Sequence, residues 1–340
     1  MVEDYGDWLA EYTALSRTAG MVDLSFRSRL CVTGADRIRF LHGQVTNDIK
    51  QLKTGEGCYS AITTAKGRME SDLNVYCLAE ELLLDFEPGL SSKISERLNR
   101  FIVADDVQVV DVAPHYGLLS VQGPDSQRVV KQLGLLSELP ARPFDFKNTT
   151  DANLGEIYIA RQPRLRTEGF DLFVPVPGLG AVADKLIAAT KAVGGRPCGW
   201  QAMETARIEA GVPRFGADMD EGNLPQECGI EASAVSYTKG CYIGQEVLNR
   251  VHTLGHVNRS LHGLLLSDDL AALPHKGEKL LHAGKEVGFI TSATRSPRSN
   301  RNIALGYVRR EAAEPGANLV LAGSNGESAA CISKLPFGFS

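Results

Sequence analysis

No two of the seven cysteines, at positions 31, 58, 77, 198, 228, 241 and 331, form a C-x-x-C pair. Scattered and odd in number, they argue against a disulfide framework, a zinc ribbon and a plain iron–sulfur ligand set, and favour a reducing compartment. No stretch approaches the ~20 consecutive apolar residues a membrane helix needs. The start, MVEDYGDWLAEYTAL, is acidic and amphipathic rather than basic and then apolar, so it does not read as a targeting peptide. These absences lead to the expectation of a cytoplasmic protein with no membrane partner. An excess of positive charge is missing as well. The 36 Lys and Arg against 41 Asp and Glu leave a net charge of −5, which sets aside a nucleic-acid backbone as the main partner. Walker A and G-x-S-x-G patterns are absent, which lowers nucleotide hydrolysis and serine-hydrolase readings.

What is present is an ordinary globular balance, 43% apolar and 23% charged over 340 residues, enough for a sizeable core and for two to three domains at roughly 150 residues each. After an N-terminal helix, LCVT (30–33) reads as a strand, Gly34-Ala35 as a turn and Asp36 as the N-cap of RIRFLHGQV. LLSVQ (118–122), Gly123-Pro124-Asp125 and SQRVVKQLG repeat that grammar at an offset of 89 residues. The first copy continues into a hairpin, CYSAITT and MESDLNVYCL about the turn Ala65-Lys66-Gly67-Arg68, then the strand ELLLDF, a helix over 90–101 and the strand VQVVDV. The second copy continues into GEIYIA, FDLFVPV and a helix over 181–193. Both blocks resemble a β-α-β-β-α-β order, so the fold class is α+β, with two related ferredoxin-like units rather than one doubly wound parallel sheet. Past Gly199 come a helix (WQAMETARIEAG), a long loop-rich stretch and a short helix over 245–252. From Arg259 the strands LHGLLLS, EKLLHA, EVGFITSA, IALGYVR and NLVLAG read as a small antiparallel C-terminal β-barrel. The expected domains are 1–112, 113–255 with the first two interleaving, and 256–340.

Two motifs are set aside. GLGAVA (178–183) satisfies G-x-G-x-x-A, but prolines at 175 and 177 interrupt the turn and no strand ending in an acid follows, so it reads as a tight strand-to-helix connection. His252 and His256 have i, i+4 spacing, but Gly255 ends the helix between them and no Glu follows His252, so no metal site is assigned. The segment Lys239-Gly240-Cys241-Tyr242-Ile243-Gly244-Gln245-Glu246 is denser: two glycines four apart frame a thiol, a phenol, an amide and a carboxylate. Cys241 precedes a helix N-terminus and lies two residues from Lys239, and both features favour a thiolate if the side chain is accessible. The competing reading is a small buried thiol.

KGCYIGQE resembles the signature of the YgfZ family of folate-binding proteins, relatives of the aminomethyltransferase (T-protein) of the glycine cleavage system. VTGADRIRFLHGQVTNDI (32–49), AKGRMESDLNVY (65–76), ARIEAGVPRFGADM (206–219), LPQE (224–227), Arg250 and Arg259 extend the likeness over nearly the whole chain. The resemblance implies three domains in a ring around a channel holding tetrahydrofolate. Glu209 matches the family's pterin-binding carboxylate, and a carboxylate suits the paired N–H donors of a pterin; a solvated helix position is the alternative. Asn47 and Asp48 match a motif near the channel, with a turn role competing. Arg207, Arg250 and the Arg295, Arg298, Arg301 cluster are candidates for a folate's glutamate tail or an acidic partner, the cluster equally for a solvated loop. Tyr242, Gln245 and Glu246 complete the cofactor-binding candidates.

The resemblance also has a departure. T-proteins carry adjacent aspartates in the hairpin, one placed to assist amine release, whereas this chain reads Ser71-Asp72. Its Arg166-Thr167-Glu168-Gly169 segment is shorter than the T-protein loop. The expectation is therefore a tetrahydrofolate-binding accessory protein for the assembly or repair of iron–sulfur clusters in client enzymes. Cys241 is its reactive residue, and Lys239 and Asp72 are the other catalytic candidates. The alternatives are a folate-dependent aminomethyltransferase using Asp72 alone, or a non-enzymatic folate scaffold, and whether the chain is an enzyme stays open.

Overall fold

A computed structural model describes residues 1–323 and 326–338. In chain order the elements are α1 (Trp8–Arg17), β1 (Gly20–Asp23), β2 (Ser28–Thr33), α2 (Arg37–Gln44), β3 (Gly57–Thr63), β4 (Met69–Cys77), β5 (Glu81–Phe86), α3 (Ser91–Asn99), β6 (Gln108–Asp111), β7 (Tyr116–Gln122), α4 (Ser126–Gln132), β8 (Phe146–Asp151), β9 (Gly155–Arg161), β10 (Gly169–Pro175), α5 (Val176–Ala192) and β11 (Arg196–Pro197). Then follow α6 (Trp200–Glu209), α7 (Glu231–Ala234), α8 (Gln245–Leu254), β12 (Arg259–Leu266), β13 (Lys279–His282), β14 (Lys285–Ser296), β15 (Arg301–Arg309), β16 (Asn318–Gly323) and β17 (Gly326–Ser333). The chain forms two compact units. The first takes Met1–Thr64, Glu70–Met203 and Ser233–Ile243, and the second takes Ala65–Met69, Glu204–Ala232 and Gly244–Ser340.

The first unit holds both copies of the repeat. One gives a five-stranded sheet, β3-β4-β5-β2-β6, and the other a six-stranded sheet, β11-β1-β7-β10-β9-β8. Each copy has three strands between its helices, one more than the four-strand ferredoxin-like order. The N-terminal β1 is inserted between β7 and β11, so a cut at residue 112 separates β1 from its partners. The recurring glycines explain the shared start: Gly34 and Gly123 have φ of +98° and +118°, which side chains avoid. A Cβ on Gly34 would lie 2.1 Å from the Asp106 carbonyl oxygen. Asp36 and Asp125 occupy the N-cap positions of α2 and α4 without a side-chain cap. Asp36 instead accepts the Asp106 backbone N–H at 3.0 Å, and Asp125 accepts from Arg128 at 3.0 Å.

Strand alternation sorts the two faces of each sheet. Leu30, Val32, Leu73, Val75 and Leu84 face a core completed by Phe40, Leu41, Ile94 and Leu98 of α2 and α3. Leu119, Val121, Ile159, Phe170 and Leu172 do the same for Val129, Val182 and Leu186 of α4 and α5. The opposite faces meet one another. Tyr76 packs edge-on against Phe146 and Phe173, with centroids at 5.9 and 5.6 Å. Arg164 bridges Asp85 (2.9 Å) on one sheet and Asp171 (2.6 Å) on the other, while Arg27 adds bonds to Asp85 (2.7 Å) and Glu87 (2.5 Å). Burial pushes the Asp85 carboxyl up, but Arg27 and Arg164 outweigh it and hold the group well below the usual range. Helix α5 starts at Val176, directly after β10, with Pro177 in its first turn. Gly178–Ala183 therefore lie inside a helix that begins five residues before the expected position, and no phosphate-cradling loop exists there.

The second unit is built on a closed six-stranded barrel, β12-β15-β14-β13-β16-β17. Leu264, Leu280, Ile290, Ala304, Val308, Leu319, Leu321 and Ile332 fill its core. The sequence reading missed β17, whose GESAACIS alternates small residues with weak apolar contrast. Ile208 packs on Ile303, Leu305 and Phe337. Among the described residues no helix is long and apolar enough to cross a membrane.

Candidate functional site

In the first unit, Ser233–Ile243 is laced to the end of α2 and the loop after it. Thr46 Oγ1 donates to the Ala234 carbonyl (2.6 Å), Thr63 Oγ1 donates to the Ile243 carbonyl (2.7 Å), and the Ile243 N–H donates to Gly43 (3.2 Å). Lys239 is buried, and its Nζ donates to the carbonyls of His42 (2.5 Å), Val45 (2.8 Å) and Asn47 (2.8 Å). Those groups lie at the C-terminal end of α2, where a helix leaves acceptors unpaired and the macrodipole attracts a cation. Burial pulls the Lys239 ammonium down to about 8, opposed by Asp48. Donating to three carbonyls, the Lys239 ammonium acts as a strut beneath the loop. Cys241 itself is the exposed one of the seven cysteines. Next to it Tyr242 is buried, its ring 4.8 Å from Lys239 Nζ. Its hydroxyl has no hydrogen-bond partner among the described residues, and burial pushes it up to about 12.

Asn47 and Asp48 are engaged locally. Asn47 Nδ2 donates to the carbonyls of Tyr59 (2.8 Å) and Ser233 (3.0 Å), and its Oδ1 accepts the Asp48 N–H (2.8 Å). Asp48 accepts from the Lys50 N–H and from Gln51 Nε2, each at 3.1 Å, and its Oδ1 lies 3.3 Å from Nδ1 of the buried His42. These local bonds fit the turn role, one of the two expected of the pair.

Asp72 is placed differently. Ser71 is fully buried on the face that carries Leu73 and Val75 toward the helices, and its hydroxyl donates to the Asp72 carbonyl (2.8 Å). Asp72 lies on the opposite face of β4, half-buried, where Tyr59 Oη donates to its Oδ2 at 2.7 Å. Burial, followed by the neighbouring Glu87 carboxylate, pushes Asp72 up to about 6, against the Tyr59 hydrogen bond. Sequence reasoning did not identify Tyr59 as its partner.

In the second unit, Glu209 at the end of α6 accepts a hydrogen bond from the hydroxyl of the buried Ser296. Arg207, expected to meet a ligand, is instead an internal strut. It is buried and bonded to Asp218 and Glu204 and donates to Ser292 Oγ (2.7 Å), while Asp218 accepts from Thr291 (2.6 Å) and Ser292 (2.7 Å). Gly244, with φ +92°, opens α8. Gln245 is half-buried in the first turn, and Glu246 and Arg250 are exposed one turn apart. Glu227 of LPQE lies 3.4 Å from Arg68 and 3.6 Å from Arg259, whose guanidinium covers the rings of Phe289 and Tyr307. His252 Nδ1 lies 2.9 Å from Glu231 Oε1. Among the described residues no group of three or more His, Cys, Asp or Glu is positioned to hold a metal ion.

The chain matches the GCVT N-terminal domain over residues 3–239 and the glycine cleavage T-protein C-terminal barrel domain over residues 259–337. It is 29% identical to the aminomethyltransferase of Shouchella clausii (strain KSM-K16), covering 98% of this chain and 93% of that protein. It is also 29% identical to the aminomethyltransferase of Geobacillus kaustophilus (strain HTA426), covering 90% and 83%. The crystal structure of glycine cleavage system aminomethyltransferase T from Bartonella henselae superposes with a TM-score of 0.88 over 98% of this chain and 91% of that one, at 22% identity, and so shares the fold. The chain belongs to the GCVT N-terminal domain family and carries that family's T-protein C-terminal barrel.

Proposed function

We propose that this chain is a folate-dependent transferase of the aminomethyl type, with Asp72 as the residue that moves the proton. The observation that carries the reading is the position of Asp72 on β4. Of two adjacent strand positions only one faces away from the helix-packed core. The Ser71 side is closed, so the loss of a second acid at 71 removes a fully buried group and keeps the half-buried one on the face turned from the helices. A carboxyl near 6 holds and releases a proton around neutral pH, the condition for general acid–base work. Tyr59 orients it. Tetrahydrofolate, when bound, supplies the nucleophilic nitrogen that accepts the one-carbon unit. Glu209, held by Ser296, receives the pterin edge in this reading, and the buried Tyr242 hydroxyl, without a partner among the described residues, is the kind of polar atom a ligand satisfies. Similarity to curated aminomethyltransferases over nearly the full length supports it.

The test is tetrahydrofolate-dependent ammonia release from an aminomethyl-lipoyl carrier protein, with a parallel tetrahydrofolate titration of wild type and Glu209→Ala. Turnover that falls in Asp72→Asn is expected. No turnover at high enzyme concentration overturns the transferase reading, and equal folate affinity in Glu209→Ala overturns the pterin assignment. A second reading, the YgfZ-type folate-binding accessory protein acting on iron–sulfur client or assembly proteins, is favoured by one observation: Cys241 is exposed on a loop braced from beneath by Lys239. It predicts that a Cys241→Ser strain loses iron–sulfur enzyme activity while the purified variant keeps its folate affinity. Wild-type activity in that strain rejects it.

A further inference from the structure

Arg29, on β2, is wholly buried. Its Nη2 donates to the carbonyls of Ser25 (3.1 Å), Ala113 (3.2 Å) and Tyr116 (2.6 Å), but its Nε and Nη1 are buried with no partner among the described residues. Its neighbour across the ladder, Asp85, is already held by Arg27, Arg164 and Asn74. An arginine keeps its charge in a protein interior; the carboxylates of Asp85, Asp111 and Asp23 attract it, but none accepts from Nε or Nη1, and a buried donor left without an acceptor is unfavourable. Arg29 lines a cavity of about 40 Å³ together with Cys31, Glu81, Tyr116 and Tyr158, and Leu83 and Phe173 make apolar parts of its wall. Burial, with the nearby Glu81 carboxylate, pushes the Cys31 thiol up.

We propose that this cavity binds one small monovalent anion of halide class, such as chloride, on the free N–H groups of Arg29. The space takes a monatomic ion with a water beside it and is too small for a folate, a nucleotide or a phosphate ester. Leu83 comes from the five-stranded sheet, and Tyr158 and Phe173 from the six-stranded one. The anion therefore accepts from the two orphaned guanidinium N–H groups at the seam of the first unit, next to the Arg27–Asp85–Arg164 network, and the folded state gains halide-dependent stability.

Crystals of the full chain soaked in bromide are expected to show an anomalous peak within about 3.5 Å of Arg29 Nε, a hydrogen-bonding distance widened for a larger ion. In solution, replacing gluconate by chloride at about 0.2 M and constant ionic strength is expected to raise Tm by about 2–4 °C, and Arg29→Met to abolish the difference. Water alone at Arg29 in the bromide crystal overturns the proposal, as does an unchanged chloride response in Arg29→Met. Should that variant not fold, the wild-type crystal decides by itself.

Discussion

Asp72 and Glu87 sit side by side on the face of the five-stranded sheet that is turned from its helices, and burial makes two charges there less favourable than one. Folded, the Asp72 carboxyl titrates near 6, above its ordinary value of 3.8. Between those pH values the native state binds more protons than the unfolded chain. The stabilisation this gives is complete at low pH and is lost as pH rises through about 6. Asp72→Asn keeps an acceptor for Tyr59 and removes the titration. Its Tm relative to wild type is thus expected to be higher at pH 7.5 than at pH 5, and melts across that range check the sign. The same substitution is expected to lower turnover by about 10²–10⁴-fold, the usual contribution of a positioned acid or base, and to flatten the limb of the pH–rate profile near 6. A variant that loses activity but keeps that limb assigns the titration to another group.

At the scale of elements, Lys239 closes the end of α2. Replacing it by Met leaves three carbonyl oxygens short of a donor, and an unsatisfied buried group costs about 1–3 kcal/mol. Chemical denaturation of Lys239→Met should show a loss of at least about 2 kcal/mol, together with faster proteolysis within Ser233–Ile243. An unchanged midpoint would return Lys239 to a direct chemical role. Arg164 links the two sheets in the same way. Arg164→Met strips a partner from two buried aspartates, and breaking such a network costs about 3–5 kcal/mol, measurable as a lowered denaturation midpoint. These elements differ in how legible they were. Gly34 and Gly123 announced both copies of the repeat because a positive φ is a local demand that one residue type meets. The alternation in MESDLNVYC identified β4 for a similarly local reason. The hairpin about Ala65–Arg68 made residues near 59 neighbours of residues near 72, a signal for Tyr59 that chemical inspection alone passed over. Lys239 could not be read this way: its partners are almost two hundred residues upstream, so spacing linked it to Cys241, its neighbour in the chain, instead of to α2.

For the molecule as a whole, local grammar identified the barrel but not the chain it depends on. The turns and strands from Arg259 onward read as a self-sufficient domain beginning near 256, because each strand signals itself. The compact unit also takes Ala65–Met69 and Glu204–Ala232, and the physical reason lies in the strands themselves. Ile303 and Leu305 turn fully buried side chains toward Ile208. Thr291 and Ser292 give their hydroxyls to Asp218, whose other oxygen is occupied by Arg207. A fragment of residues 256–340 lacks both supports. Losing the Ile208 contact resembles a large-to-small core truncation of about 2–5 kcal/mol, and on β14 the half-buried Ser292 hydroxyl loses its acceptor at about 1–3 kcal/mol, while Thr291 is left with the Leu305 carbonyl at 3.1 Å. Those losses are comparable with the whole stability of a small domain, about 5–15 kcal/mol. The fragment is expected to give a poorly dispersed amide NMR spectrum and no sigmoidal melt, whereas one in which Glu204–Ala232 is joined to the barrel by a flexible linker recovers dispersion. A cooperative melt from 256–340 alone would show that the barrel's own core is sufficient, and that the upstream segment is held by the barrel without supporting it.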